Sequence, residues 1–286
     1  MITVVQAIIL GLLQGLTELF PISSLGHSVI IPSLLGWNIK QDDPYFLTFL
    51  VATHLATAIV LFAFFWCDWM RILSGLWRSF MARQIRTDDT YAKMGWLLVM
   101  GTVPAGILGL LLQDPLRALF ASAQIAAFFL IINGLILFSA EKLRKRANTY
   151  QGRAQSDQHI AKLSWASALG IGAAQAGALI PGISRSGSSM AGSLLAGLNN
   201  EDAARFSFLL ATPIIAAAAL LKLPELFLPS ARPVLGATII GAVCAGAAAY
   251  FSIRFLVKYF ETRTLTPYAV YCVIAGLVFS IILLVR

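Results

Sequence analysis

Residues 164–198 read SWASALGIGAAQAGALIPGISRSGSSMAGSLLAGL, an apolar stretch interrupted near its middle by the segment from Pro181 to Gly187. About 20 apolar residues are enough to cross a bilayer as one helix, so an unbroken stretch of this length would span it. The Pro and Gly at the interruption instead predict two shorter helices joined by a tip. The stretch 1–35 is interrupted in the same way, between Pro21 and Gly26. Both stretches are therefore predicted to be re-entrant helix pairs.

The two interrupted stretches are related by an internal repeat. A shift of 161 residues superimposes Gly11, Gln14, Ile22, Ser23, Gly26 and Ser28 on Gly172, Gln175, Ile183, Ser184, Gly187 and Ser189. We interpret the chain as one integral membrane domain, 1–286, with a first repeat of about 1–140 and a second of about 164–286. Each repeat holds an odd number of spans, so the second is expected to lie inverted, with both tips near the bilayer midplane. Chance similarity among small apolar residues is the alternative.

The composition excludes a soluble globular protein. Of the 286 residues, 58% are hydrophobic and 12% are charged, about half the charged fraction of soluble domains. Six further runs are long and apolar enough to span a membrane: 45–66, 96–113, 122–140, 206–221, 234–252 and 266–285. The predicted fold class is an all-α polytopic membrane protein with six transmembrane helices plus two re-entrant helix pairs in an inverted-topology repeat.

The basic residues predict the orientation, because Lys and Arg are retained on the cytoplasmic side of a membrane. The loops 67–95, 141–163 (the linker between the repeats) and 253–265 hold, with Arg205, 15 of the 21 basic residues. They are Arg71, Arg78, Arg83, Arg86, Lys93, Lys142, Arg144, Lys145, Arg146, Arg153, Lys162, Arg254, Lys258, Arg263 and Arg205. Both termini are then expected outside the cytoplasm. The net charge of +8 is spread over loops, which does not favour a nucleic-acid partner.

Four ionisable residues are expected at membrane depth: Glu18, His27, His54 and Arg185. A charge there is costly unless it is paired or faces water, so such residues are candidates for function. His54 lies in an ordinary span, where an interhelical hydrogen bond is a simpler explanation than catalysis. His159 lies in a basic loop and is expected to be solvated.

The tips carry the chemistry of an anion site. At the first tip, Gln14 and Glu18 are four residues apart and share a helix face that points toward the following turn. At the second, one guanidinium, several hydroxyls and the N–H groups of a helix N-terminus fall within a few residues. These predicted phosphate-binding groups are Arg185, Ser184, Ser186, Gly187 and Ser189. The alternatives are helix packing for the serines and a purely structural ion pair between Arg185 and Glu18.

These motifs resemble the undecaprenyl-diphosphate phosphatase family, the bacitracin-resistance membrane proteins of bacteria. The resemblance covers nearly the whole chain and is carried by Gln14 to Glu18, by Ser-Ser-x-Gly-His at 23–27 and by Pro-Gly-x-Ser-Arg-Ser at 181–186. The chain departs from the family's pattern at three positions. Gln14 stands where many members have Glu, Leu25 replaces a common Thr, and Ser189 stands where many have Thr. A mechanism that needs two carboxylates in the first motif is therefore in doubt here.

The resemblance implies hydrolysis of undecaprenyl diphosphate to the monophosphate that carries cell-wall precursors for peptidoglycan synthesis. It also implies the bacterial cytoplasmic membrane, with the site open to the outer face. Our hypothesis makes Glu18 and His27 the acid/base pair and Ser24, or a water, the nucleophile. Arg185 would hold the diphosphate, together with Gln14, Ser23, Ser184, Ser186, Gly187 and Ser189.

The family resemblance also suggests a divalent cation, Mg²⁺ or Ca²⁺, at Glu18, although one carboxylate is a poor site for either ion. No organic cofactor is expected. The expected partners are a polyprenyl diphosphate lipid and the membrane, and the sequence leaves the oligomeric state open. The alternative function is a transporter or flippase that moves a polyprenyl phosphate lipid through the same anion site.

Overall fold

This computed structural model describes residues 2–37, 39, 44–120, 122–143, 153–222, 224 and 232–285, and in them the chain forms helices joined by turns. Within these ranges there is no strand. The helices are α1 (Val4–Thr17), α2 (Ser24–Leu34), α3 (Pro44–Phe64), α4 (Trp66–Ala82), α5 (Thr90–Phe120), α6 (Ala123–Leu143), α7 (Arg153–Ala161), α8 (Trp165–Ala176), α9 (Arg185–Leu195), α10 (Asn200–Lys222), α11 (Arg232–Phe260) and α12 (Thr266–Val285). The predicted all-α class is confirmed. Of the basic residues used for the orientation, Arg144, Lys145 and Arg146 lie outside the described residues.

Six helices are long and apolar enough to cross a membrane, which confirms the six predicted spans. They are Phe46–Phe64, Thr90–Leu112, Ala123–Leu143, Asn200–Leu221, Pro233–Phe260 and Thr266–Val285. Three of them extend further than predicted, at the start of α5, the start of α10 and the end of α11. The additional turns contain charged residues, so an apolar run ends before it includes these turns. The charged residues are Lys93, Glu201, Asp202, Arg205, Arg254 and Lys258.

The loop predicted at 67–95 instead begins with a helix, α4. One face of α4 is buried, at Ile72 and Gly75, whereas Trp77 and Phe80 on the other face are 65% and 64% exposed. A 17-residue amphipathic helix with an exposed aromatic face is typical of the membrane interface. Arg78 of α4 donates two hydrogen bonds to Asp89 in the turn that follows the helix, at 3.0 and 3.1 Å. These bonds hold the pKa of Asp89 below its usual range.

A buried charge cluster ties α4, α7 and α10 together. Arg205 donates to Asp68 at 2.9 Å and also pairs with Asp157. His159 of α7 lies 2.6 Å from Asp202 of α10, so the prediction that His159 is solvated is wrong. The physical reason is that Asp202, 1% exposed, must be partnered once it is buried. The linker between the repeats is thus partly an anchored helix.

The two interrupted stretches are broken where the sequence predicts. In the first, α1 ends at Thr17 and α2 begins at Ser24. In the second, α8 ends at Ala176, a short 3₁₀ turn follows at Gly177–Leu179, and α9 begins at Arg185. The four helices have 11 to 14 residues each, which is shorter than a bilayer requires. The interpretation that each pair enters and leaves on the same side of the membrane stays a prediction.

Glycine contacts position these short helices at positions related by the 161-residue shift. A Cβ atom at Gly11 of α1 would lie 2.2 Å from the carbonyl oxygen of Gly241 in α11. A Cβ atom at Gly172 of α8 would lie 2.2 Å from the carbonyl oxygen of Gly101 in α5. Both helices therefore cross a long helix of the other half at a contact that admits no side chain. This correspondence supports the predicted division into repeats, which stays a prediction.

Candidate functional site

The first tip is a tight turn that closes on the start of α2. Ser23 has φ 69° and ψ 96°, a left-handed conformation that a non-glycine residue rarely adopts. Its hydroxyl accepts a hydrogen bond from the Gly26 amide at 3.2 Å and so caps α2. Backbone strain of this kind persists only where the surrounding structure fixes it, and it often accompanies function.

The second tip ends in a matching cap. Ser184 caps α9 and accepts from the Gly187 amide at 3.1 Å, so Ser184 and Gly187 repeat the bond between Ser23 and Gly26 after the 161-residue shift. Gly182 has φ 101°, and a Cβ atom there would lie 2.3 Å from the carbonyl oxygen of Ala126. Both the conformation and the space at this position require glycine.

The two tips touch each other. A Cβ atom at Gly26 would lie 3.0 Å from the Cα atom of Gly182. The hydroxyl of Ser186 in the second tip donates to the carbonyl oxygen of Phe20 in the first, at 3.2 Å. The sequence expectation that the two tips approach one another is therefore met in the described residues.

Glu18 lies at the centre of the contact, with its side chain 5% exposed. One of its oxygens, Oε1, accepts from Arg185 Nε at 3.2 Å and from Arg185 Nη2 at 3.0 Å. The other oxygen, Oε2, accepts from Gln14 Nε2 at 3.1 Å and from the Ser24 hydroxyl at 2.5 Å. The four predicted residues Gln14, Glu18, Ser24 and Arg185 therefore form one cluster.

His54 joins this cluster, and sequence reasoning did not place it there. Its Nε2 lies 3.3 Å from Glu18 Oε2, while its Nδ1 lies 2.7 Å from the Leu50 carbonyl oxygen. A carbonyl oxygen only accepts, so Nδ1 carries a hydrogen and Nε2 is the nitrogen that faces the carboxylate. The available signal was an ionisable residue inside an apolar span, but nothing in the sequence indicated which element it would face.

The hydrogen-bond partners of His27 do not include Glu18, and the acid/base roles assigned to these two residues stay a prediction. The Nδ1 of His27 lies 2.7 Å from the Ser23 carbonyl oxygen and its Nε2 lies 2.8 Å from the Tyr271 hydroxyl. The His27 ring also stacks on Tyr271, with centroids 5.9 Å apart. The reason is local. The first turn of α2 directs the His27 imidazole toward α12, whereas His54 on α3 lies beside the Glu18 carboxylate.

The serines of the second tip differ in what their hydroxyls contact. Ser184 and Ser186 lie with their hydroxyl oxygens 3.1 Å apart at the contact between the tips. Ser189 instead donates to the Arg185 carbonyl oxygen at 2.9 Å and lies 2.5 Å from the hydroxyl of Ser207 in α10. In this structure Ser189 therefore links α9 to α10, as the packing alternative predicts.

The guanidinium of Arg185 retains a donor for an anion. Its Nε and Nη2 atoms serve Glu18, and its Nη1 atom is buried without a hydrogen-bond partner among the described residues. A buried donor without a partner is costly and rare, and a bound anion would satisfy it. This atom is the clearest sign in the structure that the contact between the tips receives a negatively charged group.

The cluster does not fit a divalent cation held by the protein. Both oxygens of Glu18 already accept hydrogen bonds, and Mg²⁺ or Ca²⁺ prefers several oxygen ligands. No group of three or more His, Cys, Asp or Glu side chains able to hold a metal occurs among the described residues. The oxygens of a diphosphate are themselves good ligands for such an ion.

Comparison with known proteins identifies the family. A family model described as bacitracin resistance protein BacA matches residues 7–278. The chain belongs to this family. The match includes both tips and every residue of the cluster around Glu18.

Named relatives are similar over nearly their whole length. The undecaprenyl-diphosphatase of Mycolicibacterium paratuberculosis is 45% identical over 291 residues, covering 95% of this chain and 94% of the relative. Undecaprenyl-diphosphatase 2 of Frankia alni is 42% identical over 333 residues, covering 96% of each chain. Undecaprenyl-diphosphatase 2 of Burkholderia ambifaria is 45% identical over 273 residues, covering 95% of this chain and 94% of the relative. The family assignment thus rests on the whole BacA domain.

Proposed function

We propose that this member of the BacA family hydrolyses undecaprenyl diphosphate to undecaprenyl phosphate and inorganic phosphate, which recycles the lipid carrier for cell-wall synthesis. The observation that supports it most directly is the contact between the tips, where Arg185 and Ser24 both bond to Glu18. Phosphoryl transfer needs mainly positioning and charge neutralisation, and this contact offers a guanidinium for the phosphate and a hydroxyl beside a base.

The proposed nucleophile is the Ser24 hydroxyl. Its oxygen lies 2.5 Å from Glu18 Oε2, a short hydrogen bond to an ionised acceptor. Glu18 takes the Ser24 proton as the oxygen bonds to the terminal phosphorus, and the bond from that phosphorus to the bridging oxygen breaks. Undecaprenyl phosphate leaves, and water then hydrolyses the phosphoserine to free phosphate. Arg185 neutralises charge on the transferred group through Nη1.

The two histidines have separate places in this proposal. His54 faces Glu18 from α3 and shares a proton with it, which helps to balance the charge of Glu18 while Arg185 Nη1 binds the phosphate. His27 stays the proposed acid for the leaving group, a role that requires it to exchange one of its bonds to Ser23 or Tyr271 for a bond to the substrate. The Tyr271 hydroxyl bonds to His27 Nε2, and Tyr271 as a residue is 41% exposed, so this tyrosine lies between the imidazole and the outside of the protein.

The serine nucleophile makes a direct prediction. Rapid quenching of the wild-type protein with excess substrate is expected to trap phosphate on Ser24, detected by mass spectrometry of the peptide. A Ser24→Ala variant is expected to form no such adduct and to release phosphate about 10³-fold more slowly. Full turnover by that variant would instead assign the attack to a water, the alternative that the sequence left open.

Phosphate release tests the function itself. Protein purified in detergent is expected to release inorganic phosphate from undecaprenyl diphosphate with multiple turnovers. A pure transporter or flippase would release none, and no observation in the structure or the relatives' names favours that alternative. Protein that is folded but releases no phosphate would contradict the proposal.

We place the protein in the bacterial cytoplasmic membrane with its site open to the outer face. Six apolar helices support a multi-pass protein, and the basic loops support the orientation. The inverted arrangement of re-entrant pairs belongs to the same proposal. Cysteine labelling from either side of intact cells, at Arg83 or Arg263, tests it, since both positions are exposed and expected in the cytoplasm.

A further inference from the structure

We propose that Asn133 is a positioning residue that fastens the two tips to each other and so sets the distance between Glu18 and Arg185. This inference rests on the proposed hydrolysis, and it assigns a role to a side chain outside the site described above. Asn133 lies in α6 and is fully buried. Its run, FFLIINGLILF at 128–138, is otherwise apolar. An amide at such a position is costly unless all its polar atoms are partnered.

The amide of Asn133 reaches both tips. Its Nδ2 donates to the Pro21 carbonyl oxygen at 3.0 Å, and its Oδ1 accepts from the Ser184 backbone amide at 2.9 Å. Pro21 lies midway between Glu18 and Ser24 in the first tip. Ser184 directly precedes Arg185 in the second. One side chain therefore bonds to the backbone of both turns that carry the reacting groups.

The chemistry of the two bonds is specific for an amide. A carbonyl oxygen can only accept and a backbone N–H can only donate, so these two partners fix which end of the Asn133 side chain is nitrogen. Leucine would satisfy neither tip. An ionised aspartate would satisfy Ser184 but would place a second oxygen against the Pro21 carbonyl oxygen. A protonated aspartate would again satisfy both, because its O–H can donate.

Positioning of this kind affects turnover more than substrate affinity. Asn133 bonds to the backbone of the two tips, so its loss is expected to displace the reacting groups and not to remove a bond to the substrate. A displacement of about 1 Å in a reacting group can cost about 10²-fold in rate. We therefore expect the Asn133→Ala variant to lose about 10²-fold in kcat while its KM changes by less than about threefold.

The test measures phosphate release from undecaprenyl diphosphate by wild-type protein, Asn133→Ala and Asn133→Asp across a range of pH. The ratio of the Asp variant's kcat to the wild-type kcat is expected to rise as pH falls, while the Ala ratio stays flat. Cys272 is the titratable side chain among the described contacts of Asn133, with its sulfur 3.3 Å from Nδ2. Cys272→Ala is the matched control and is expected to keep kcat within about twofold.

A second measurement does not depend on catalysis. Hydrogen exchange at the Ser184 amide is expected to be faster in Asn133→Ala than in wild type, and unchanged in Cys272→Ala. A folded Asn133→Ala variant with near wild-type kcat, or an Asp ratio that does not change with pH, would overturn the inference. If the Ala variant does not fold, the Asp ratio alone decides. Wild-type protein that releases no phosphate would instead refute the proposed function, while the exchange result would still report on Asn133.

Discussion

The Arg185→Lys variant is expected to lose about 10³-fold in kcat even though lysine keeps the positive charge. Arg185 donates to Glu18 through Nε and Nη2, and its Nη1 has no partner among the described residues and is available to an anion. A lysine ammonium is a single point that cannot bond to Glu18 and to a phosphate in this forked arrangement. Phosphate release by purified protein, with kcat and KM measured separately, gives the result. Arg185→Ala is expected to lose at least as much.

Arg205, which forms ion pairs in a different cluster, provides the matched control. Arg205 pairs with Asp68 and Asp157 in the cluster that anchors α4 and α7, away from the tips. Arg205→Lys is expected to lower the melting temperature and to keep kcat of the folded protein within about threefold of wild type. Substantial turnover by Arg185→Lys, or equal losses of kcat in both lysine variants, would contradict the forked binding of phosphate by Arg185.

The features that sequence predicts well are those set by local chemistry. Long apolar runs have one stable solution in a bilayer, so the six spans are found where the pattern predicts them. The breaks at Pro21 and Pro181 are equally local. Predicting that Glu18 and Arg185 lie close together also required the internal repeat, because the two residues are 167 positions apart in the chain.

The features that sequence reasoning missed depend on which elements face each other. His54 and Asn133 are polar residues in largely apolar spans, and each bonds or lies close to a tip that is distant in sequence. The contact of His27 with α12 was not predicted for the same reason, since His27 lies near Glu18 in the chain but its ring faces Tyr271. The helix α4 was not predicted because it contains charged residues, and the orientation argument assigned all charged segments between the spans to loops.

The effect of having Gln14 in place of a glutamate follows from its contact with Glu18. Gln14 donates to Glu18 through its amide nitrogen at 3.1 Å, whereas a glutamate there would place a second negative charge against the first. In our proposal Glu18 is the base, and the imidazole of His54, 3.3 Å from Glu18 Oε2, lies beside it in place of a second carboxylate. The proposed mechanism therefore needs no second carboxylate in the first motif.

The Glu18→Gln variant is expected to lose about 10³-fold or more in kcat, because glutamine cannot take the Ser24 proton. The substitution is nearly isosteric, so the hydrogen bond from Ser24 can persist while the base is removed. It also leaves Arg185 without its counter-charge at membrane depth, and the variant is expected to melt at a lower temperature than wild type.

Glu141→Gln separates the two effects. Glu141 lies near the end of α6 and accepts from the Leu265 backbone amide at 3.0 Å, so this variant exchanges a carboxylate for an amide outside the tips. It is expected to keep kcat within about threefold of wild type, since a glutamine oxygen can still accept that bond. For the Glu18→Gln variant, the kcat loss must persist at temperatures well below its melting transition and must be accompanied by loss of the Ser24 adduct. A folded Glu18→Gln protein that still forms phosphoserine at the wild-type rate would show that another group, with His54 the nearest imidazole, removes the Ser24 proton.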